Sequence, residues 1–168
     1  MVNKKILVPL LAICIVTTGF LIYFMTVNTG TLQVSIKDAP YDDLVSINVD
    51  ISAIQIQKVN TTNWVPLIQC DQKLLNCSVT GEEESVCRAE LDTGSYNLIR
   101  IKFNHIQLRY NNDSLHEVDK YANQNQVQNF WLEIAIDFTY DGAGGKILFD
   151  ITINNDYEAV VTIVQATP

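Results

Sequence analysis

Residues 130–138 read Phe-Trp-Leu-Glu-Ile-Ala-Ile-Asp-Phe, and this stretch decides the fold class of the chain. Apolar side chains occupy every second position, a period that is typical of a β-strand with one buried face. Trp131 falls between the apolar positions, so its side chain is predicted to face outward or toward a covering loop.

Similar strand signals run through the chain after residue 30. They occur at residues 32–36, 45–56, 64–68, 86–91, 99–110, 146–153 and 158–164. No stretch in this part has the apolar stripe of an amphipathic helix. Residues 110–128, which are rich in Asn, Asp and Gln, are predicted to form a long loop with at most a short strand. The pattern predicts an all-β fold, an antiparallel β-sandwich of seven or eight strands.

Two of the predicted strands change phase along their length. In residues 45–56 the apolar side chains move from odd to even positions near Ser52–Ala53, and in residues 99–110 the same change occurs near Asn104–His105. Because successive side chains of a strand alternate between its faces, an extra residue is needed at each point to keep both apolar sets inside. We therefore predict a β-bulge or a strand break near Ser52–Ala53 and a bend near Asn104–His105.

Composition and charge limit the classes of function. The chain has 168 residues, of which 48% are apolar and 18% charged, with a net charge of −8. Without residues 1–30, the remaining 138 residues carry 9 basic and 19 acidic side chains, a net charge of −10. A domain with this charge would repel a phosphate backbone, so nucleic acid is not expected as a partner.

The N-terminal segment has the pattern of a membrane anchor. Residues 6–27 are 22 uncharged residues that follow Lys4 and Lys5, enough for a helix to cross a hydrocarbon core about 30 Å thick. A cleaved signal peptide is the alternative, but its apolar region is usually shorter and ends in small residues. We therefore favour a retained anchor at residues 1–29 and an extracytoplasmic domain at residues 30–168. The lipid bilayer is then the first partner, and the basic N-terminus stays in the cytoplasm.

Three cysteines lie close together in a polar stretch that is predicted to be a loop. They are Cys70, Cys77 and Cys87, and an odd number leaves one thiol outside any single bridge. Sequence alone leaves all three pairings open. We prefer Cys77–Cys87, because Cys77 precedes the predicted turn at Gly81 and Cys87 begins the next strand. That bridge would join the two ends of the loop covalently.

Three triplets have the sequence of N-glycosylation acceptors. They begin at Asn60, Asn76 and Asn112, and each falls where a loop is predicted. These acceptors have meaning only for an exported chain whose organism glycosylates.

One acidic cluster and one aromatic set are the candidate sites. Asp38, Asp42 and Asp43 could supply oxygen ligands to calcium, although a turn with solvated carboxylates is the favoured interpretation. Trp131 and Tyr121 are candidate ligand-binding residues, because aromatic rings on the surface of a β-sandwich can stack against sugars. Core packing is the default expectation for Trp64.

Motifs of known enzyme classes are missing from the sequence. It has no nucleophile elbow, zinc-binding histidine pair, phosphate-binding loop or dinucleotide fingerprint. We therefore expect neither catalytic residues nor a cofactor, with calcium as the one candidate ion.

Several segments resemble one family of prokaryotic proteins. The opening at residues 30–43, the short tryptophan strand at 64–67, the glycine-tyrosine-arginine segment at 91–101 and the closing strand at 147–150 are similar to the family known as domain of unknown function 4382. The resemblance spans about residues 30–165. It implies an exported, transthyretin-like β-sandwich that is often tethered to a membrane and has no established activity.

These features together favour a non-enzymatic module on the cell surface. We expect it to bind a glycan or a protein of the envelope, because a rigid scaffold with long polar loops and no catalytic set suits recognition. The alternatives are a structural subunit that assembles by strand exchange and, less favoured, a carboxylate-based hydrolase.

Overall fold

The computed structural model describes residues 14–17, 29–38, 44–67, 70, 73–78, 82–118, 131–154 and 158–167. Residues 14–17 are helical, and the other described segments contain ten strands. The strands are β1 (Thr29–Asp38), β2 (Leu44–Lys58), β3 (Trp64–Pro66), β4 (Lys73–Ser78), β5 (Glu84–Asp92), β6 (Gly94–Tyr110), β7 (Leu115–Glu117), β8 (Trp131–Tyr140), β9 (Gly145–Ile153) and β10 (Ala159–Thr167).

The strands form two sheets with the arrangement of a β-sandwich. The four-stranded sheet has the order β10-β9-β1-β5, and the six-stranded sheet has the order β3-β2-β6-β7, with β4 beside β2 and β8 beside β6. The all-β prediction is confirmed. Two details of it were wrong, because the described residues contain ten strands and because β1 pairs with β9 in parallel.

The core consists of the inward-facing side chains of both sheets. The largest fully buried ones are Tyr96, Tyr140, Phe103, Phe138, Phe149, Leu32, Ile36, Ile47, Ile51, Ile54, Ile56 and Leu67. Most of them occupy the alternating apolar positions from which the strands were predicted. Their removal from water is the main force that holds the sheets together.

Both predicted phase changes are bulges in the pairing of β2 with β6. Asp50 pairs with His105 and Ile51 with Phe103, which leaves Asn104 as an extra residue on β6. The next pair joins Ala53 to Lys102, so Ser52 is extra on β2. One added residue on each strand turns both apolar sets back toward the core.

No helix in the described part of the chain is long and apolar enough to cross a membrane. The anchor predicted at residues 6–27 lies outside the described residues, apart from residues 14–17.

A disulfide bond links β5 to the connection between β3 and β4, but it is not the one that we preferred. Cys70 and Cys87 form the bridge, with their Cα atoms 5.0 Å apart. The preference for Cys77–Cys87 was wrong because Cys77 is not in a loop. It lies on β4 opposite Ile47 of β2, and its side chain is buried in the core.

We predict that peptide mapping finds Cys70 joined to Cys87. Alkylation of the unfolded, unreduced chain at acidic-to-neutral pH should modify two thiols, Cys14 and Cys77, and reduction should raise the number to four. Replacing both bridge cysteines by serine should lower the free energy of unfolding by about 3 kcal/mol, since the bridge closes a loop of 17 residues. Cys77→Ser is the control for the bridge, because it keeps the linked peptide. A linked peptide that contains Cys77 would contradict this assignment.

A tyrosine holds the turn between β5 and β6. The hydroxyl group of Tyr96 donates a hydrogen bond of 2.6 Å to the carbonyl oxygen of Asp92, four residues upstream. This geometry is that of the tyrosine corner found in many β-sandwiches. Burial, followed by the charge of Asp92, raises the pKa of Tyr96 from 10.0 to about 12.

We predict an alkaline loss of stability that depends on Tyr96. Because the pKa is higher in the folded chain than in the unfolded one, this contribution is complete below pH 10 and disappears as the pH rises toward 12. Tyr96→Phe should lower the free energy of unfolding by about 1 kcal/mol at pH 7 and flatten the alkaline decline. Part of the decline should remain, because burial also raises the pKa of Tyr140. Denaturant titrations at several pH values measure both effects, and an unchanged alkaline decline in the variant would refute the assignment.

Candidate ligand-binding face

The outer face of the six-stranded sheet carries an arginine between two tryptophans. Arg100 lies on β6 between Ile99 and Ile101, which are both fully buried, so its own side chain points away from the core. Trp64 comes from β3 and Trp131 from β8, which lie on either side of the central strands β2 and β6. We call Trp64, Arg100 and Trp131 the tryptophan–arginine ladder.

The guanidinium group of Arg100 stacks against both indoles. Its central carbon lies 4.1 Å from the ring centroid of Trp64 and 4.3 Å from that of Trp131. Cation–π contacts of this kind contribute about 0.5–1 kcal/mol at exposed positions and more where water is removed. The two contacts connect β3 to β8 across two intervening strands.

Polar contacts fix the plane of the same guanidinium group. The Nε and Nη2 atoms of Arg100 donate to the side-chain oxygen of Gln55, at 2.9 and 2.5 Å, and its Nη1 atom lies 3.7 Å from a carboxylate oxygen of Glu133. Gln55, Arg100 and Glu133 are register partners on β2, β6 and β8. Only 19% of the arginine side chain is exposed. Arg100 therefore positions the two indole rings. Because its own side chain is mostly buried, a ligand would contact the two tryptophans of the ladder.

Both indoles are half-buried and lie beside polar side chains. Trp131 pairs in register with Lys102, and Trp64 pairs with Gln57. An aromatic surface next to amide and ammonium groups can stack on the apolar face of a sugar ring and hydrogen-bond its hydroxyl groups. Because the indoles are held in place before a ligand arrives, little side-chain entropy would be lost on binding.

Of the two sequence-predicted ligand residues, the structure describes one. Trp131 lies on the outer face, as the alternation of β8 predicts. Tyr121 lies outside the described residues. The expectation that Trp64 packs in the core was wrong, because its ring stacks on the outward-facing Arg100. Strand β3 has only three residues, too few for a period to show which face Trp64 occupies.

The candidate calcium ligands fall at the edge of the described structure. The backbone of Asp38 ends β1, while its side chain and the residues Asp42 and Asp43 lie outside the described part. Within the described residues, no group of three or more His, Cys, Asp and Glu side chains could hold a metal ion.

Two of the three glycosylation triplets lie in exposed turns. Asn60 follows β2 with a φ of 61°, and Asn112 lies between β6 and β7. The side-chain oxygen of Asn112 accepts hydrogen bonds from the amide and hydroxyl groups of Ser114, at 3.0 and 2.6 Å. Asn76 is on β4 opposite Asn48, so the prediction of a loop was wrong for this triplet. Use of any of the three acceptors remains a prediction.

We predict that Arg100→Met loosens both tryptophans at once. The variant keeps an apolar side chain but loses two cation–π contacts and the bonds to Gln55, so the free energy of unfolding should fall by about 1–2 kcal/mol. The near-ultraviolet circular dichroism of the indoles should also weaken. Arg88→Met is the matched control, because Arg88 is exposed on β5 of the other sheet, and it should change neither signal. An indole spectrum of Arg100→Met that matches the parent's would show that Arg100 does not position the rings.

Comparison with known proteins identifies a family. A family model described as "Domain of unknown function (DUF4382)" matches residues 29–161, which include β1 to β9 and the whole ladder. A search of curated proteins finds no match. The family match covers most of the chain and confirms the resemblance of its strand segments, so the chain belongs to the family of domain of unknown function 4382.

Proposed function

We propose that the chain is a membrane-anchored, extracytoplasmic binding module without enzymatic activity, and that it binds a glycan of the cell envelope through the outer face of its six-stranded sheet. The observation that carries this proposal is the tryptophan–arginine ladder. Two tryptophans, the only two of the chain, lie on one outer face and share one arginine.

The chemistry of the face supports a sugar better than an apolar ligand. Trp64 and Trp131 supply aromatic surface, whereas Gln55, Gln57 and Lys102 surround it with hydrogen-bonding groups. Sugar rings combine an apolar face with a rim of hydroxyl groups, and this combination fits such a surface. The charge of Arg100 is met by Glu133, so the face does not depend on a strongly charged ligand.

Assembly by strand exchange is the second candidate, and the edges of the described sheets favour it less. Such assembly needs a long, open strand edge. In the described residues β3 and β7 have three residues each, and the longer edge strands β5 and β10 are bulged at Val86 and Val164. Strand β10 also passes beside β8. Short and bulged edges are features that limit pairing with another chain.

A carboxylate-based hydrolase is the third candidate. It needs two carboxylates in different protonation states on either side of the bound sugar. Glu133 is the carboxylate in contact with the ladder, and its described contact is the ion pair with Arg100. A role in positioning the ladder accounts for this contact.

We predict that the purified domain of residues 29–168 binds members of a glycan array and that Trp131→Ala weakens this binding about tenfold or more, as expected for loss of a central aromatic contact. Trp131→Phe should keep part of the affinity, because it retains an aromatic face. Leu115→Ala is the control, since Leu115 is exposed on β7, away from the ladder, and should leave binding unchanged.

Circular dichroism of each variant must show the parent's β-sheet spectrum. Absence of binding across the array would contradict the proposal and favour a protein partner. Unchanged binding by Trp131→Ala would show that the glycan binds somewhere other than the ladder.

A further inference from the structure

Three turns and the first strand residues meet at one end of the sandwich. Thr29 pairs with Asp92, the last residue of β5, and the chain then turns into β6 at Gly94. Gly94 pairs with Tyr140, the last residue of β8, which brings the β8–β9 turn to the same end. We call this the N-terminal end of the sandwich.

Two close contacts join the remaining parts of this end. The amide of Val59 donates a hydrogen bond of 2.9 Å to the carbonyl oxygen of Ser95, so the β2–β3 turn lies beside the start of β6. A Cβ atom added at Gly30 would collide with the carbonyl oxygen of Gly142, so β1 begins directly against the β8–β9 turn. The N-terminal end is therefore one continuous, closely packed surface.

The predicted anchor leaves almost no chain between itself and this end. Its apolar stretch ends at Val27, and β1 begins at Thr29. The two residue steps from Val27 to Thr29 can span at most about 7 Å. Thr29 therefore cannot lie far from the point at which the apolar stretch leaves the bilayer.

The β2–β3 turn has a composition that suits the surface of a lipid bilayer. Residues 59–67 contain no charged side chain. Val59 and Val65 are each 39% exposed, so this segment leaves apolar surface that lipid can cover.

We propose that the N-terminal end of the sandwich rests on the lipid bilayer through the β2–β3 turn, so that the ligand of the ladder is a glycan held close to the membrane. Arg100 is six residues from Gly94, which places the ladder about 20 Å from this end. The opposite end, at Tyr110, is on the order of 50 Å away. This inference rests on the proposed membrane-anchored function. It restricts the ligand to glycans that extend about 20 Å from the surface of the bilayer, where the ladder lies.

The test measures how close each end of the full chain lies to lipid. Thr62→Cys places a label in the β2–β3 turn, and Asn111→Cys places one in the β6–β7 turn at the opposite end. Both residues are exposed, and neither is a turn residue with a positive φ. Each variant also carries Cys14→Ser, and labelling of the native protein spares the buried Cys77. The labelled chains are inserted into phosphatidylcholine vesicles that contain a lipid with a nitroxide on its headgroup.

The expected result is strong quenching of the fluorophore at residue 62 and none at residue 111. Equal quenching at the two positions, or stronger quenching at residue 111, would overturn the proposed orientation. A chain that does not stay with the vesicles would overturn it as well, because the tether would be missing. The vesicles contain no glycan, so the orientation can fail while glycan binding on the array holds, and glycan binding can fail while the orientation holds.

Discussion

The long pairing of β2 with β6 sets the constraint on which the rest of the structure depends. The strands have 15 and 17 residues, and each must keep its apolar side chains on one face over that whole length. The bulges at Ser52 and Asn104 satisfy this requirement, because each adds a residue where the apolar pattern changes phase. Without them, one half of each strand would turn its apolar side chains to the outside.

The same constraint creates the candidate site. Since Ile99 and Ile101 must face the core, Arg100 between them must face outward, in register with Gln55 and Glu133. The neighbouring strands β3 and β8 then each bring one tryptophan into contact with its guanidinium group. A planar cation shared by two rings holds them still, which is what a preorganised binding surface needs. The ladder is thus a consequence of how the core is packed.

The sequence predicts what depends on local periodicity and misses what depends on contacts across the fold. The alternation in residues 45–56 and 99–110 was sufficient to predict both strands and the two places at which their pairing is irregular. The alternation of β8 predicted the outward face of Trp131. Strand β4 was missed because its polar residues hide the alternating period. Because that segment was interpreted as a loop, Cys77 was preferred over Cys70 as the partner of Cys87. The position of Trp64 and the parallel pairing of β1 with β9 are set by partners distant in the chain, which no local pattern encodes.

The most direct test of the ladder as a binding surface is a nuclear magnetic resonance titration with a glycan ligand. The chain has two tryptophans, so it gives two indole N–H signals, and each can be assigned by a single substitution. We expect both signals to shift together and to saturate at the same ligand concentration, because one arginine couples the two rings. Shifts at other residues while both indole signals stay in place would contradict it.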